Sequence, residues 1–485
     1  MADRVAPDEE AGNAGFADFG GIWFMQDDLI GSLERHRSTQ YELHREYINP
    51  AFVKMLKAIG FDKNYVRGEG CYLWDPQGNK YLDLLTGWGV FMLGRNHPAI
   101  RRALHQMIDA GSPNLVRMDC GIASGLAAKA LVSHMPAGLS RVFFTNSGTE
   151  SVETALKFAR CATGREKIIY CDHAFHGLTT GSLAVNGAGF FRERFGALLP
   201  GTCAIPLNDL PSLEQALAKH DAAAFILEPV QGKTCQVVQD GYLAEAQRLC
   251  RKAGTLLIVD EVQTGLGRTG RWFCFQHWPA VEPDIVCLAK GLSGGFVPVG
   301  AVVTRPKIMD TVFDSLEHCV VHSNTFGQND LAMVAALASL QVIERDKLVE
   351  NADQLGQYAM SRLAHIGSKC PFVTEVRGKG LMFGIDFARP ANSLKLRLAW
   401  DALHKLNFGV FGQMIVVPLL NKHHILTQVA GYHTEVIKFL PPLIATRQDM
   451  DWFLGAMEEV LADTQRVPGA AWDTVMSLAK NVVRA

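Results

Sequence analysis

Six short apolar runs alternate with helix-length stretches between about residue 120 and residue 305, and this pattern leaves few folds open. The runs are VFFTN, KIIYCD, AAFILEP, TLLIVDE, DIVCLAK and PVGAVVT. Apolar runs at this spacing are typical of a mostly parallel sheet with helices on both faces. The sequence therefore predicts an α/β fold in which ligands bind at the carboxyl ends of the strands.

Segments on either side of this region predict a smaller α+β domain built from both ends of the chain. VRGEGCYLWDPQGNKYLDLLTG alternates apolar and polar residues around a D-P-Q-G-N turn, which predicts a hairpin. VRGKGLMFGIDF and EVIKFLPPL are predicted as further strands. We expect an N-terminal segment with part of the small domain at residues 1–115, the large domain at 116–345, and the remainder of the small domain at 346–485.

Composition and charge exclude several classes of protein. The chain has 485 residues, 48% of them hydrophobic, and a formal charge of -2, which gives no electrostatic basis for binding nucleic acid or an anionic membrane. The eleven cysteines are scattered without a C-x-x-C pair or a zinc-finger spacing, so we expect reduced thiols and no metal site. The sequence shows no signal-peptide pattern and no apolar run near the roughly 20 residues of a membrane span. We therefore expect a cytoplasmic location.

An acidic residue, Asp260, ends the apolar run Leu256–Val259 in TLLIVDEVQTG. A carboxylate at the end of a buried strand is costly to desolvate unless it meets a positive partner. A protonated pyridinium nitrogen would be such a partner. The structural alternative is an acid that caps the following turn.

A lysine, Lys290, follows the next apolar run, Ile285–Ala289, and precedes a glycine-rich loop. Desolvation at such a position lowers the pKa of a lysine and makes its amine available for Schiff-base formation. Taken alone, a lysine at a strand end is more often solvated or paired with an acid. The combination of Lys290 with Asp260 favours the functional interpretation.

A glycine-containing turn, NSGT at residues 146–149, connects the run VFFT to a helix with Val152, Ala155, Leu156 and Ala159 on one face. Such a turn directs backbone N–H groups at an anion, typically a phosphate. Ser147 or Thr149 could equally be an ordinary helix N-cap.

Together these segments resemble the class III (omega) aminotransferases of the fold-type I pyridoxal-phosphate enzymes, such as ornithine, acetylornithine and putrescine aminotransferases. The resemblance runs from about residue 50 to 460 and implies a large domain with a mostly parallel seven-stranded sheet plus a smaller α+β domain. Its motifs, in the family's order, are NSGTESVETALKFAR, HAFHG, ILEPVQG, LIVDEVQTGLGRTG, CLAKGLSGG, HSNTFGQND, VRGKGLMFGID and IKFLPPL.

The resemblance implies pyridoxal 5'-phosphate as cofactor and Lys290 as the catalytic lysine that binds it. Asp260 would pair with the ring nitrogen, Gln263 would bond near the phenolic oxygen, and Phe175 would stack on the ring. Thr325 of the partner subunit would reach the phosphate, which implies a homodimer with a shared active site. The implied cofactor-binding residues are Ser147, Gly148, Thr149, Phe175, His176, Glu228, Asp260, Gln263, Lys290 and Thr325.

The chain departs from the family at the substrate end. Leu178 stands where ornithine and 4-aminobutyrate enzymes have an arginine that grips a substrate carboxylate, so a bidentate clamp is missing. Lys438 replaces the arginine that pairs with the glutamate retained here as Glu228, although Lys438 could also be a surface lysine of a strand. Trp88 lies where the family lines its substrate entrance, and a buried core tryptophan is the alternative.

The resemblance implies a ping-pong transfer of an amino group, and these departures favour a mono-, di- or long-chain amine as donor and a 2-oxo acid or an aldehyde as acceptor. Alternatives on the same fold are an enzyme for an omega-amino acid, an aminomutase or a decarboxylase. A DNA-binding regulator is disfavoured because the sequence shows no basic helix-turn-helix. A nicotinamide dehydrogenase is disfavoured because no G-x-G-x-x-G follows a first strand.

Overall fold

The structure is a computed structural model that describes residues 29–116, 118–406, 410–431, 434–469 and 472. The chain divides into two units, Met1–Lys57 and Ala58–Ala485. Three helices, α1 (Leu29–Arg35), α2 (Gln40–Tyr47) and α3 (Pro50–Ala58), account for most of the described part of the first unit. All the described strands lie in the second unit.

The second unit alternates helices and strands along the chain. Its further α-helices are α4 (Thr86–Gly89), α5 (Pro98–Asp109), α6 (Ile122–Val132), α7 (Gly148–Thr163), α8 (Thr180–Ala184), α9 (Leu210–Leu217), α10 (Tyr242–Ala253), α11 (Pro306–Val312), α12 (Asp330–Arg345), α13 (Leu348–Gly367), α14 (Leu394–Leu406), α15 (Gln413–Asn421) and α16 (Arg447–Thr464). Its strands are β1 (Arg67–Glu69), β2 (Tyr72–Trp74), β3 (Lys80–Asp83), β4 (Arg141–Thr145), β5 (Lys167–Cys171), β6 (Thr202–Ile205), β7 (Ala222–Leu227), β8 (Leu256–Asp260), β9 (Ile285–Leu288), β10 (Gly300–Thr304), β11 (Val373–Lys379), β12 (Met382–Phe387), β13 (Ile425–Leu426), β14 (Gln428–Val429) and β15 (Val436–Phe439).

The predicted seven-stranded sheet is confirmed, with strand order β4-β10-β9-β8-β7-β5-β6. The strands from β6 to β9 in this order pair in parallel. β10 runs antiparallel to both of its neighbours, β9 and β4, so β4 points the same way as the parallel strands. Fold class and sheet therefore match the fold-type I architecture that the resemblance implies.

The central strands are apolar on both faces because helices cover both sides of the sheet. Every residue of β7, β9 and β10 is buried, as are four of the five residues of β8. This pattern is typical of parallel strands within a doubly covered sheet. The edge strand β6 is only partly buried, and the apolar pattern of the sequence did not reveal it.

Helix α7 follows β4 directly and places its first turn at the carboxyl end of that strand. Ser147 is its N-cap and accepts a hydrogen bond from the amide of Glu150 at 3.3 Å. The predicted apolar face is confirmed, because Val152, Ala155, Leu156 and Ala159 are all buried. The helix ends at Gly164, whose φ of 65° suits a left-handed C-cap.

The unit also contains two smaller four-stranded sheets, one of which joins strands that precede the large sheet in the chain with a strand that follows it. The predicted hairpin is confirmed as β2 and β3, and the late strand β13 pairs in parallel with β3. The other sheet has the order β11-β12-β15-β14 and is antiparallel. The domain boundaries near residues 115 and 345 stay a prediction.

Six strands of the large sheet point the same way and direct their carboxyl ends to one edge. Their last residues are Thr145, Cys171, Ile205, Leu227, Asp260 and Leu288. The loops after these strands carry most of the predicted site residues, as expected for an open α/β sheet.

Candidate active site

Asp260, the last residue of β8, is 4% exposed and is held by two hydrogen bonds. Its Oδ2 accepts from His176 Nδ1 at 2.7 Å, and its Oδ1 accepts from the amide of Val262 at 3.0 Å. Burial disfavours the charged imidazole, but the hydrogen bond and charge of Asp260 prevail and raise the pKa of His176. Asp260 is thus a buried carboxylate with a fixed orientation.

The family resemblance implies that His176 contacts the cofactor. In the structure, the side chain of His176 is buried in the interior. Its backbone amide donates to Asn186 Oδ1 at 2.7 Å. His176 therefore acts on the site through Asp260, whose Oδ2 it contacts.

Lys290 lies two residues beyond the end of β9, and β9 is the neighbour of β8. Cys287 of β9 pairs with Asp260 of β8, so the lysine and the aspartate emerge side by side. Lys290 is partly buried and has a φ of 45°, a left-handed conformation that costs a non-glycine residue about 1–2 kcal/mol. Burial lowers the pKa of its amine, against the opposing charges of Asp260 and Glu228. A larger share of neutral amine follows.

Gly291, the residue after Lys290, packs closely against Met92. A Cβ at Gly291 would stand 1.7 Å from the sulfur of Met92, which is closer than any real contact. Lys290 begins a short 3-10 helix, Lys290–Ser293, instead of the loop that the sequence predicts.

Glu228 follows β7 and organises two loops through its carboxylate. Oε2 accepts from the amide of Phe175 at 2.9 Å, and Oε1 accepts from the amide of Gly232 at 2.8 Å. Burial is the main cause of a raised pKa for this group. Phe175 is partly buried and meets Phe191 edge to face at 5.4 Å between ring centroids.

Lys438 is 3% exposed on β15, so the surface-lysine alternative is wrong. The described residues show no ion pair between Lys438 and Glu228, whose two oxygens accept the amides of Phe175 and Gly232. Lys438 Nζ donates instead to the carbonyl of Gly232 and, at 3.0 Å, to Gln263 Oε1. Burial lowers its pKa to about 8.

Gln263 connects Lys438 to the predicted substrate entrance. Its Nε2 donates to the carbonyl of Trp88 at 2.9 Å. Trp88 is 60% exposed, which excludes the core-tryptophan alternative, and its Nε1 donates to Gln428 Oε1 at 2.7 Å. A continuous chain of hydrogen bonds therefore runs from Trp88 through Gln263 and Lys438 to Gly232.

The first turn of α7 leaves backbone donors available. Among the described residues, the amides of Gly148 and Thr149 donate no hydrogen bond. The hydroxyl of Thr149 lies 2.7 Å from those of both Thr179 and Ser182. Two N–H groups at a helix N-terminus, together with the local positive end of the helix dipole, suit a phosphate.

Two predicted residues lie apart from this network. Leu178 is 55% exposed, and Thr325 is exposed in the segment before α12. The predicted role of Thr325 needs a second subunit and stays a prediction. The structure also places Lys233 and Phe191 at this edge, and neither residue was predicted from the sequence. The one signal for Lys233 is its position directly after ILEPVQG.

Removing the imidazole of His176 is expected to destabilise the folded chain. In His176→Leu, Asp260 Oδ2 loses its donor and stays buried, at a cost of about 1–3 kcal/mol in the free energy of unfolding. His176→Asn, whose amide can still donate, is the matched control. Chemical denaturation of both variants measures the difference, and equal stability of His176→Leu and the wild type would contradict the assigned contact.

Comparisons with known proteins agree with this geometry. The family model for aminotransferase class-III matches residues 58–461. The aminotransferase PigE of Serratia sp. is 34% identical over 464 residues, which cover 89% of this chain and 54% of PigE, so the chain spans about half of that relative. The putrescine aminotransferase of Pectobacterium atrosepticum is 34% identical over 436 residues, covering 86% of this chain and 87% of that protein.

Solved structures give a similar result. The ornithine aminotransferase of Toxoplasma gondii, crystallised with oxidised glutathione and with PLP at partial occupancy in its active site, superimposes with a TM-score of 0.73. It is 31% identical and covers 83% of this chain and 89% of its own. In the described part of the chain, no helix is long and apolar enough to cross a membrane.

Proposed function

The chain belongs to the class III aminotransferase family, which uses pyridoxal phosphate, and we propose on this basis that it transfers an amino group from a primary amine to a 2-oxo acid or an aldehyde. The observation that carries this proposal is the pairing of β8 with β9, which brings the Asp260 carboxylate and the Lys290 amine together at one sheet edge. The donor is a mono-, di- or long-chain amine.

The residues present fit the cofactor. Lys290 would bind it covalently, Asp260 would face the ring nitrogen, and the free amides of Gly148 and Thr149 would hold the phosphate. When bound, pyridoxal phosphate supplies an electron sink for negative charge that develops on the substrate carbon. The described residues thus offer an amine, a carboxylate and an anion site in one region.

Lys290 performs the proton transfer in this proposal. As a neutral amine, its Nζ accepts the proton from the donor carbon that bears the amino group, and later returns it. Burial supports this role because it lowers the pKa of the lysine towards the working pH. Asp260 stays oriented through its hydrogen bonds with His176 and the amide of Val262.

We also propose a homodimer in which Thr325 of the partner subunit binds the phosphate. The exposure of Thr325 in a single chain supports this proposal, because a second subunit can then reach it.

The substrate end favours a donor without a terminal carboxylate. Leu178 is exposed and apolar, and Trp88 presents an aromatic surface held by Gln428 and Gln263. An alkyl chain packs against such groups, whereas a carboxylate finds no cation at residue 178. An omega-amino acid is therefore the less suitable donor.

A donor panel tests the proposal. We expect putrescine, butylamine and longer amines to exceed 4-aminobutyrate and ornithine in kcat/KM, measured as amino-group transfer to pyruvate. Leu178→Arg should raise kcat/KM for 4-aminobutyrate by about 10-fold through a charged hydrogen bond. Leu178→Met is the control. A wild-type preference for 4-aminobutyrate or ornithine would refute the donor assignment, and release of carbon dioxide without transfer would indicate a decarboxylase.

A further inference from the structure

Lys233 follows β7 near this site, and burial lowers the pKa of its amine against the opposing charge of Glu228. Its Nζ lies 4.5 Å from the ring centroid of Phe175 and 5.2 Å from that of Phe191. Its ammonium donates no hydrogen bond and forms no ion pair within the described residues. A partly buried ammonium with only two aromatic faces around it has unused hydrogen-bond donors.

The neighbouring carboxylates already accept hydrogen bonds within the protein. Glu228, whose charge acts on Lys233, accepts two backbone amides, and Asp260 accepts from His176 and Val262. Lys233 in turn disfavours the charged forms of Lys290 and Lys438. Three lysines thus share one region with two carboxylates, and the ammonium of Lys233 keeps its hydrogen-bond donors available for an added anion.

The other two lysines are poor receptors for that anion. Lys438 is buried and donates to Gly232 and Gln263. Lys290 must act as a neutral amine in the proposed reaction. Lys233 also follows β7, whereas the phosphate-type turn follows β4, and β8, β9 and β10 lie between these strands. The anion at Lys233 is therefore distinct from the cofactor phosphate.

We propose that Lys233 binds the carboxylate of the amino-group acceptor, and that the acceptor is a 2-oxo acid rather than an aldehyde. Lys233 donates hydrogen bonds to the carboxylate while Phe175 and Phe191 contact the carbon chain. The inference rests on the proposed function and identifies the acceptor class. The residue that would bind the acceptor carboxylate, Lys233, lies in the segment after β7 and is different from Leu178.

The test compares acceptors that differ in their carboxylate. In Lys233→Met, we expect kcat/KM for pyruvate to fall by about 10-fold or more relative to kcat/KM for propanal measured on the same variant. Lys233→Arg should retain most of the affinity for pyruvate. Lys379→Met is the matched control, because Lys379 also lies over an aromatic ring, at 5.3 Å from Trp278, and influences neither Lys290 nor Lys438.

Each other outcome rejects the inference. An unchanged kcat/KM for pyruvate removes the role of Lys233, an equal loss with propanal assigns it a structural role, and a loss of cofactor affinity assigns it to the cofactor. Calorimetric binding of propionate to the cofactor-loaded protein needs no turnover. Propionate binding that Lys233→Met weakens, in a protein that transfers nothing from any amine, would reject the proposed function and keep the anion site.

Discussion

Replacing Lys290 by alanine is expected to lower the rate of amino-group transfer by about 10³-fold or more, because one side chain supplies both the nucleophile and the proton carrier. The loss should fall on kcat, since Leu178, Trp88 and Lys233 remain to bind substrate. The substitution should not relieve the backbone strain at residue 290, because alanine disfavours a positive φ as lysine does.

The measurement combines single-turnover kinetics with chemical labelling. Borohydride reduction of the wild type should attach the cofactor to the peptide that contains Lys290, and the alanine variant should yield no labelled peptide. Added methylamine should restore part of the lost rate by carrying the proton in place of Nζ. Lys379→Ala serves as the control lysine. A Lys290→Ala protein that turns over within about 10-fold of the wild type would contradict the catalytic role.

The positions of Asp260 and Lys290 could be predicted because each depends on local sequence. A run of apolar residues predicts a buried strand, and parallel neighbours end at the same edge. The structure confirms that Asp260 ends β8 and that Lys290 follows β9. Ser147 as the N-cap of α7 was one of two alternatives, and local geometry decides between them.

The contacts of His176 and Lys438 could not be predicted, because they join distant segments. His176 and Asp260 are 84 residues apart in the chain, and no local pattern predicts their hydrogen bond. All four residues of β15 are buried, so the strand lacks the alternation that would have shown which way Lys438 points. The bond from Lys438 to the carbonyl of Gly232 joins residues that are 206 positions apart in the chain, so no local pattern predicts it either.

The position of Lys233 beside the aromatic rings could not be predicted from the sequence either. It lies outside any strand or helix, so periodicity gives no information about it. Its proximity to Phe175 depends on Glu228, which accepts the amides of both Phe175 and Gly232 and thereby holds the two loops together. Only the folded chain brings this cation to the aromatic rings.

Replacing Asp260 by asparagine is expected to lower kcat/KM by about 10²-fold or more, through loss of a negative charge and not through loss of shape. A nearby carboxylate favours the protonated ring nitrogen by 1–3 pKa units in comparable pairs, and each unit is worth about tenfold in equilibrium. Asparagine can still accept from the amide of Val262, but it no longer raises the pKa of His176. The electron sink weakens while the fold persists.

A control on the same sheet separates charge from stability. Asp284 accepts from the amide of Leu257 at 2.9 Å and from Arg305 at 2.8 Å, next to the amino-terminal end of β9 and away from Lys290. Asp284→Asn should change the unfolding midpoint but leave the activity per folded molecule unchanged, whereas Asp260→Asn should lose activity and cofactor affinity while it remains folded. Asp260→Glu keeps the charge and should retain more activity than Asp260→Asn. If Asp260→Asn keeps wild-type kcat/KM, the negative charge of Asp260 has no role in the reaction. The carboxylate then serves only to hold His176, and its value is the change in the free energy of unfolding that His176→Leu measures.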